Sequence, residues 1–216
     1  MMQYKLTKKL FYGTYQYKIV LVCAGAGLFR SKDLDVVLES LQQASPLLTD
    51  SDKFSFSRNR HTIRTTEELD YALKLHYELS QLTDFDLRIE SPWVNVYTNS
   101  KRDVTILAQI DEFKVKYISQ PPVDALLEVN TIILPKVNFD YRVTVGRTTQ
   151  DCTAFITWAD NNAKLKLTKS CRTALSKPRS WGGSYFYITG DNNLLMTKMH
   201  LGGCISKIER IIKDKA

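Results

Sequence analysis

Four short segments in the first half of the chain have counterparts in the second half, and the counterparts occur in the same order. The best pair is Tyr15-Gln-Tyr-Lys-Ile-Val-Leu-Val22 and Phe139-Asp-Tyr-Arg-Val-Thr-Val145, in which apolar residues take the same alternating places. The other pairs are 53–58 with 164–169, 93–98 with 184–189, and 114–118 with 207–211. An internal repeat constrains a fold more than any single residue does. The matches predict a tandem duplication, although short β-type segments also resemble one another by chance.

Each predicted copy opens with a β-hairpin, because apolar side chains alternate with a period of two along its strands. The hairpin strands are 4–11 with 16–23 in the first copy and 131–137 with 141–146 in the second. A helix is expected after each hairpin, and the one in the second copy covers 151–159. In the first copy Leu34, Val37, Leu38 and Leu41 share one helical face, and Ser31 is the candidate N-cap.

More strands and a closing helix complete each copy. The expected strands are 54–58, 93–97 and 113–119 in the first copy and 165–169, 185–188 and 205–212 in the second. The first copy also inserts a helix, which opens with the capping-box pattern Thr65-Thr-Glu-Glu68. The sequence therefore predicts an α+β fold. Its form is a tandem duplication of a β-hairpin/helix/strand unit, ferredoxin-like or related, with the two copies packed as a pseudo-dimer.

The boundaries of the copies follow from this plan and from the charge. Residues 1–120 form the first copy with its extra helix, 121–130 form a Pro-containing joint, and 131–216 form the second copy. Residues 1–130 hold 16 Lys and Arg against 17 Asp and Glu, whereas residues 131–216 hold 14 against 6. The net charge of +7 therefore belongs to the second copy, and this asymmetry favours a polyanionic partner.

The four cysteines carry no metal or disulfide pattern. Cys23, Cys152, Cys171 and Cys204 form no CxxC pair and have no histidine at ligand spacing, so neither a zinc site nor any other metal or cofactor is expected. Cysteine without a disulfide framework is typical of a reducing compartment, which predicts a cytoplasmic protein. The longest apolar run is about half of the roughly 20 residues that a membrane span needs, so no membrane partner and no signal peptide are expected.

The strongest local signal is a basic window without a single acidic residue, from 161 to 190. Its cations are Lys164, Lys166, Lys169, Arg172, Lys177 and Arg179, and Trp181 and Tyr185 follow them. Cations that neutralise phosphates, beside rings on which bases stack, are the two components of single-stranded nucleic-acid binding. The alternative interpretation is a solvated outer face whose lysines guard a sheet edge against aggregation.

A second basic cluster lies in the first copy. Arg58, Arg60 and Arg64 surround His61, and the planar guanidinium groups of the arginines match phosphate oxygens. The same arginines could instead pair with Glu67, Glu68 and Asp70 at the start of the following helix. His61 is also the one candidate general base, so metal-independent ribonuclease activity is a weaker hypothesis.

These patterns predict a nucleic-acid-binding accessory protein, for RNA or single-stranded DNA, that uses the basic and aromatic face of its second copy. No nucleophile–base pair or carboxylate pair stands at workable spacing, which favours a binding protein over an enzyme and leaves no catalytic residue assigned. The alternative is a structural or interaction protein, such as an assembly component or an inhibitor of a larger complex. One continuous basic stripe in the folded chain would favour the first interpretation, and scattered cations would favour the second.

Overall fold

A computed structural model describes residues 3–49, 56–58, 61–110, 112–122, 127–148, 151–177 and 182–213. The chain has an α+β fold and divides into two compact units, Met1–Leu126 and Leu127–Ala216. Each unit contains one five-stranded mixed sheet and its own helices.

The first unit places its helices against one face of its sheet. Its elements are β1 (Tyr4–Leu6), β2 (Tyr17–Val22), a 3₁₀ helix (Ala26–Ser31), α1 (Leu34–Thr49), β3 (Phe56–Arg58), β4 (His61–Ile63), α2 (Thr66–Ser80), β5 (Phe85–Glu90), β6 (Trp93–Thr98), α3 (Lys101–Gln109) and β7 (Lys114–Gln120). The order in the sheet is β1-β7-β2-β6-β5, with β1 parallel to β7 and the other pairs antiparallel. Alternate strand residues such as Ile19, Leu21 and Val96 are buried in one core with Leu41 of α1 and Leu107 of α3.

The second unit is smaller and is built in a similar way. Its elements are β8 (Thr131–Ile133), β9 (Tyr141–Val145), α4 (Thr153–Asp160), β10 (Leu165–Leu167), α5 (Lys169–Leu175), β11 (Tyr185–Ile188), α6 (Asp191–Leu201), a 3₁₀ helix (Gly202–Cys204) and β12 (Ile205–Ile212). The order in the sheet is β8-β12-β9-β11-β10, and β8 is parallel to β12. Val143, Phe186 and Ile188 form the core with Phe155 of α4 and Leu201 of α6.

The two sheets agree in order, direction and one irregularity. In each, the unit's last strand lies between its first and second strands, and the remaining neighbours are antiparallel. The last strand also carries one extra residue opposite the second strand: Lys116 lies between the partners of Val20 and Leu21, and Ser206 lies between the partners of Thr144 and Val145. A β-bulge of this kind re-aims side chains locally and increases the twist of the strands.

The predicted opening hairpins are wrong. β1 pairs with β7 and β8 pairs with β12, both in parallel, so neither pairs with the strand that follows it in the chain. Alternation of apolar residues identifies a strand but does not select its neighbour, which depends on contacts far along the chain. Between β1 and β2 the chain makes a local turn instead, with a bridge between Phe11 and Tyr15.

The predicted third strand of the first copy is also in the wrong place. β3 pairs with β4 in a separate two-stranded sheet, whereas β5 occupies the edge of the main sheet, where the second unit has β10. The repeat match between 53–58 and 164–169 therefore aligns two strands that are not structurally equivalent. In the second unit Lys169, expected at the end of a strand, begins α5, because Thr168 accepts a hydrogen bond from the Cys171 amide at 3.2 Å and caps a new helix.

The helix-start signals are correct for α2 and wrong for α1. Thr65 caps α2 by accepting from the Glu68 amide at 3.2 Å, and the Glu68 carboxylate accepts from the Arg64 amide at 2.7 Å. At the start of α1, Asp33 accepts from the amides of Asp35 and Val36, and Ser31 ends the 3₁₀ helix instead. An aspartate at this position also interacts favourably with the helix dipole.

Candidate nucleic-acid interface

The second sheet sends alternate side chains to the side away from its helices. Seven residues of β9, β10, β11 and β12 share that side and are called the outer face below: Arg142, Thr144, Lys166, Tyr185, Tyr187, Lys207 and Glu209. Their strand neighbours Val143, Phe186 and Ile188 are fully buried in the core on the other side. Because side chains alternate along a strand, the outer face follows directly from this burial pattern.

One row of the outer face crosses four strands. Lys166 lies opposite Tyr187, Tyr187 opposite Arg142, and Arg142 opposite Glu209. A second row contains Tyr185, Thr144 and Lys207 in the same way. Directly opposed side chains of antiparallel strands lie about 5 Å apart at Cβ, so each row is a set of neighbours. The rows bring together side chains that lie up to 67 residues apart in the sequence.

The aromatic residues of the outer face form a short stack. Tyr187 lies parallel to Phe139 with the ring centroids 5.6 Å apart, and Tyr185 packs edge-on against Tyr187, also at 5.6 Å. Tyr185 retains 36% of its surface exposed. Its backbone carbonyl accepts a hydrogen bond from the Thr168 hydroxyl at 2.6 Å. The backbone of Tyr185 is thus held by Thr168 and its ring packs against Tyr187, while part of the ring stays accessible to a ligand.

Glu209 is the one carboxylate among the seven outer-face residues, and it is neutralised twice. It is only 1% exposed; Arg142 donates from Nε to its Oε2 at 2.8 Å, and the Lys207 ammonium lies 3.0 Å from its Oε1. Burial alone would raise the pKa of Glu209, but the ammonium of Lys207 and the hydrogen-bonded guanidinium of Arg142 outweigh burial and hold the pKa below its usual value. The guanidinium of Arg142 also lies 5.4 Å from the Tyr185 ring centroid, which is cation–π distance.

The structure separates the basic residues that the sequence grouped. Lys166 is exposed on the outer face, and Lys164 is exposed directly before β10. Lys169 and Arg172 belong to α5, which buries Cys171 and Leu175 in the core and therefore lies on the opposite side of the sheet. Lys177 is exposed just after α5. Arg179 and Trp181 lie outside the described residues.

Arg172 is engaged by an acid that the sequence window did not include. Its guanidinium forms a two-pronged ion pair with Asp160 at the end of α4, with a distance of 2.9 Å from Nη1 to Oδ2. This geometry is the strong bidentate form of an arginine–carboxylate pair. Arg172 thus links α4 to α5, and a phosphate would have to displace Asp160 from both prongs of its guanidinium. Among the described cations of the window, Lys166 therefore lies on the outer face, whereas Lys169 and Arg172 belong to a helix on the other side of the sheet.

The second predicted cluster is described only in part. Arg58 lies in β3 opposite His61 of β4, Arg60 lies outside the described residues, and Arg64 is exposed before α2. The other two histidines have structural contacts: His76 Nε2 lies 2.8 Å from the Leu34 carbonyl, and the His200 ring stacks on Trp158 with centroids 5.1 Å apart. The side chains of Arg58 and His61 lie outside the described part of the structure, so the ribonuclease hypothesis for His61 stays a prediction.

The described residues show no arrangement typical of a metal site, a reactive thiol or a membrane span. None of these residues forms a group of three or more His, Cys, Asp or Glu side chains arranged to hold a metal ion. All four cysteines are buried and form no disulfide, and burial raises the pKa of Cys171 to about 11 and that of Cys23 to about 12. Thiols with such pKa values are protonated at neutral pH and are poor nucleophiles. Within the described ranges no helix is long and apolar enough to cross a membrane.

The sequence prediction assigns Lys166 and Tyr185 of the outer face to the site but not the other five residues, which are Arg142, Thr144, Tyr187, Lys207 and Glu209. The alternation of Tyr141-Arg-Val-Thr-Val145 places Arg142 on the side opposite Val143 and could have identified it. Lys207 could not be found in this way, because only its pairing with Thr144 brings it to the outer face.

The chain matches no protein-family model, and searches of curated proteins and of solved structures also find no match.

Proposed function

We propose that the protein binds single-stranded nucleic acid, RNA or DNA, on the outer face of its second sheet. The observation that carries this proposal is the ring of Tyr185, which is partly exposed between Lys166, Arg142 and Lys207 on a face whose one carboxylate is already paired. A positively charged surface with an accessible ring is what sequence-tolerant binding of unpaired bases requires. A base in a duplex is already stacked and paired, so the exposed ring favours single strands.

The residues of the outer face take separate roles in this proposal. A base stacks on Tyr185, while Lys166 neutralises a phosphate beside that base. Lys207 is 42% exposed next to Glu209, much more than Arg142 at 18%, and turns to the phosphate on the other side. Arg142 is a positioning residue: it is tied to Glu209 and lies against the Tyr185 ring, so it orients the platform. Lys164, next to the edge strand, extends the positive surface along the path of the strand.

We also infer that the two units arose by duplication of a ferredoxin-like unit. In each unit the four antiparallel strands follow the ferredoxin-like order, in which the first and third of the four are central, and an extra edge strand lies parallel to the last. The bulge at Lys116 and Ser206 supports common descent, because bulges are conserved within families. The structural alignment differs from the sequence matches. The sheets make Tyr97 equivalent to Tyr187, one residue before its match in the sequence alignment. They make Ile118 equivalent to Ile208, three residues before its sequence match. This fold does not by itself imply nucleic-acid binding.

The test is fluorescence anisotropy with labelled single-stranded and duplex RNA and DNA across a salt series. Tyr185→Ala should weaken single-strand binding by about 1–3 kcal/mol, which is about five- to 150-fold. Lys166→Glu should weaken binding to all sequences. It should also reduce the slope of log affinity against log salt by about 0.7 for each phosphate that the variant no longer neutralises.

The matched control is Lys169→Glu, which makes the same charge change on the other side of the sheet. Glutamate in the first turn of α5 is favourable for the helix dipole, so this variant should fold and bind as the unchanged protein does. Equal losses for Lys166→Glu and Lys169→Glu would show non-specific attraction to net charge. Absence of binding at low salt would end the proposal, and shortened products on a gel would support the ribonuclease hypothesis instead.

A protein–protein role is the second candidate, and one surface favours it. On α6 the apolar side chains of Leu195, Met196 and Met199 are exposed in the second unit. Methionine-rich apolar surfaces are common in adaptable protein contacts. If no polynucleotide binds, an assembly component that contacts a partner through this helix becomes the leading interpretation. Four buried cysteines without a disulfide are compatible with a cytoplasmic location for either role.

A further inference from the structure

The first unit contains a cavity of about 420 Å³ beside the edge strand of its sheet. Its walls come from the turn that contains Tyr12, from the end of the 3₁₀ helix at Phe29, Arg30 and Lys32, and from Asp86 and Arg88 of β5. This volume is within the range of small-molecule sites, which is about 300–1,000 Å³. None of the residues of the outer face contributes to this cavity, so it is a separate site.

The cavity is lined by more cations than acids. Arg30 is exposed and has no acidic partner within the described part of the chain. Lys32 lies 2.6 Å from Asp86, and Arg88 lies 2.9 Å from Glu90, but both pairs are solvent-exposed. Exposed ion pairs contribute about 0–1 kcal/mol, so the two cations can turn to a more highly charged ligand at little cost. The three cations therefore favour an anion with several oxygens, such as a phosphate.

An aromatic ring and an apolar floor complete the cavity. Tyr12 is 57% exposed, packs edge-on against Tyr97 with the centroids 4.9 Å apart, and accepts a hydrogen bond from Arg88 at 3.4 Å. Phe29 and Leu87 belong to the buried core beneath the cavity and limit its depth. The ring of Tyr12 is thus fixed on one side and open on the other. A planar heterocycle can lie against such a ring while its phosphate reaches the cations.

Backbone strain points to the same place. Three non-glycine residues of the described chain have positive φ, and two of them, Tyr12 at 53° and Lys32 at 60°, line this cavity. A left-handed conformation costs a non-glycine residue roughly 1–2 kcal/mol, and such residues cluster at ligand-binding sites. Lys32 takes this conformation as the C-cap of the 3₁₀ helix, and Tyr12 takes it in the turn between Phe11 and Tyr15, so both turns carry a side chain at the cavity wall.

We propose that this cavity binds a nucleoside monophosphate, either free or as the phosphorylated end of a nucleic-acid strand. The base lies against Tyr12, and the phosphate is held by Arg30 and Lys32, with Arg88 at the side. This inference does not rest on the nucleic-acid function proposed for the second unit, because its residues and its ligand contacts are different.

Isothermal titration calorimetry with UMP, AMP and inorganic phosphate tests the proposal on the full chain. Both nucleotides should bind, and inorganic phosphate should bind more weakly. Arg30→Glu should reduce nucleotide affinity about tenfold or more, since a charge-assisted hydrogen bond is replaced by a repulsion. Arg30 is exposed, so this variant should fold normally. Lys177→Glu is the control for net charge and should bind both nucleotides as the unchanged protein does.

The two sources of the phosphate are distinguished with matched oligonucleotides. If the protein prefers a 5′-phosphorylated oligonucleotide over its 5′-hydroxyl form, and Arg30→Glu abolishes that preference, the cavity binds strand ends. If the two oligonucleotides bind equally and UMP still binds, the cavity binds free nucleotide. Tyr185→Ala should leave UMP binding unchanged, so failure of one proposal can be told from failure of the other. Absence of nucleotide binding at millimolar concentration, equal affinity for inorganic phosphate, or no effect of Arg30→Glu would overturn the inference.

Discussion

The first and second sheets share one strand order but present different outer surfaces. Tyr97 and Tyr187 occupy corresponding positions, since Tyr97 lies opposite Lys18 and Tyr187 lies opposite Arg142. Tyr97 is only 4% exposed, because the rings of Phe11, Tyr12 and Tyr15 pack around it at centroid distances of 4.9 to 6.4 Å. In the second unit the corresponding tyrosine meets Phe139 and Tyr185, and Tyr185 stays accessible. One topology therefore supports a face covered by its own turn and a face available to a ligand.

The charges along the two corresponding rows also differ. The row in the first sheet is Asp86, Tyr97, Lys18 and Ser119, and the row in the second is Lys166, Tyr187, Arg142 and Glu209. The acid is thus half-exposed on the edge strand of the first sheet and buried on β12, an inner strand, in the second. A buried and paired carboxylate orients the cations around it but repels a phosphate less than an exposed one would. The position of the acid, more than its number, distinguishes the two faces.

The largest effect is expected from Glu209→Ser, which gives the second row the residue found in the first. Removal of one partner from a buried ion pair leaves Arg142 without its counter-charge and should lower the free energy of unfolding by about 3–5 kcal/mol. Urea denaturation measures the loss. The control is Asp86→Asn, which removes an exposed acid from the first row and should cost less than about 1 kcal/mol. Similar losses for both variants would show that the position of the acid does not matter.

A smaller loss, about 3 kcal/mol, is expected from Tyr97→Ala, because this tyrosine is enclosed by three rings. The matched variant Tyr185→Ala removes a partly exposed ring and should cost about 1 kcal/mol or less of stability. For binding, the order of the two variants should be reversed: Tyr185→Ala weakens single-strand binding and Tyr97→Ala does not. Thermal denaturation and anisotropy on the same two proteins check both statements. Loss of binding in Tyr97→Ala at temperatures where it is folded would contradict the contrast between the faces.

Sequence patterns identify most elements but assemble them incorrectly. The helices with a clear apolar face, α1 and α2, and the alternating strands β2, β6, β9, β11 and β12 all lie where the patterns predict them. The strand β5 is missed even though Phe85-Asp-Leu-Arg-Ile-Glu90 alternates fully, because the repeat plan places the edge strand elsewhere. The partners of β1 and β8 could not be predicted, since parallel pairing with the last strand is set by contacts more than 70 residues away.

The sequence predicts the candidate site as one continuous stretch, but the fold divides that stretch between a strand and a helix. A window of 30 residues without acids contains both Lys166 and Lys169, yet the strand directs the first to the outer face and the start of α5 takes the second to the helical side. Arg142 and Lys207 enter the site through cross-strand pairing. Local patterns show which residues are available, but the register decides which of them meet.

The glycines of the two units offer a further comparison. Gly182 has φ of +78°, and a Cβ there would lie 2.5 Å from the backbone carbon of Gly146, so Gly182→Ala should cost about 2–3 kcal/mol from strain and overlap together. Gly13 in the first unit has φ of +74° with open space around it, and Gly13→Ala should cost about 1 kcal/mol from strain alone. Chemical denaturation of both variants measures the difference. Equal losses would show that the approach to Gly146 is relieved by movement of the loop.

The buried carboxylate also predicts a difference at acid pH. The pKa of Glu209 is held below its usual value in the folded state, so the unfolded chain binds more protons on this group, and its contribution to stability is lost as the pH falls below about 4.3. Glu209→Ser removes that contribution, so the variant should lose less stability than the unchanged protein between about pH 5 and the folded-state pKa. Urea titrations at several pH values test this. If the two proteins lost stability in parallel as the pH falls, Glu209 would have the same pKa in the folded and unfolded states.

The smallest effects are expected at two helix caps with the same chemistry. Thr65→Ala removes the cap of α2 and should cost about 1 kcal/mol of stability, with serine restoring it. Thr168→Ala removes the cap of α5 and also the hydrogen bond from the Thr168 hydroxyl to the Tyr185 carbonyl, so it should cost slightly more. Only the second should weaken single-strand binding, by a few-fold, because it releases the strand that presents the Tyr185 ring. If Thr168→Ala binds as the unchanged protein does, the ring is held by Tyr187 and Arg142 alone, and the edge of the sheet takes no part in presenting it.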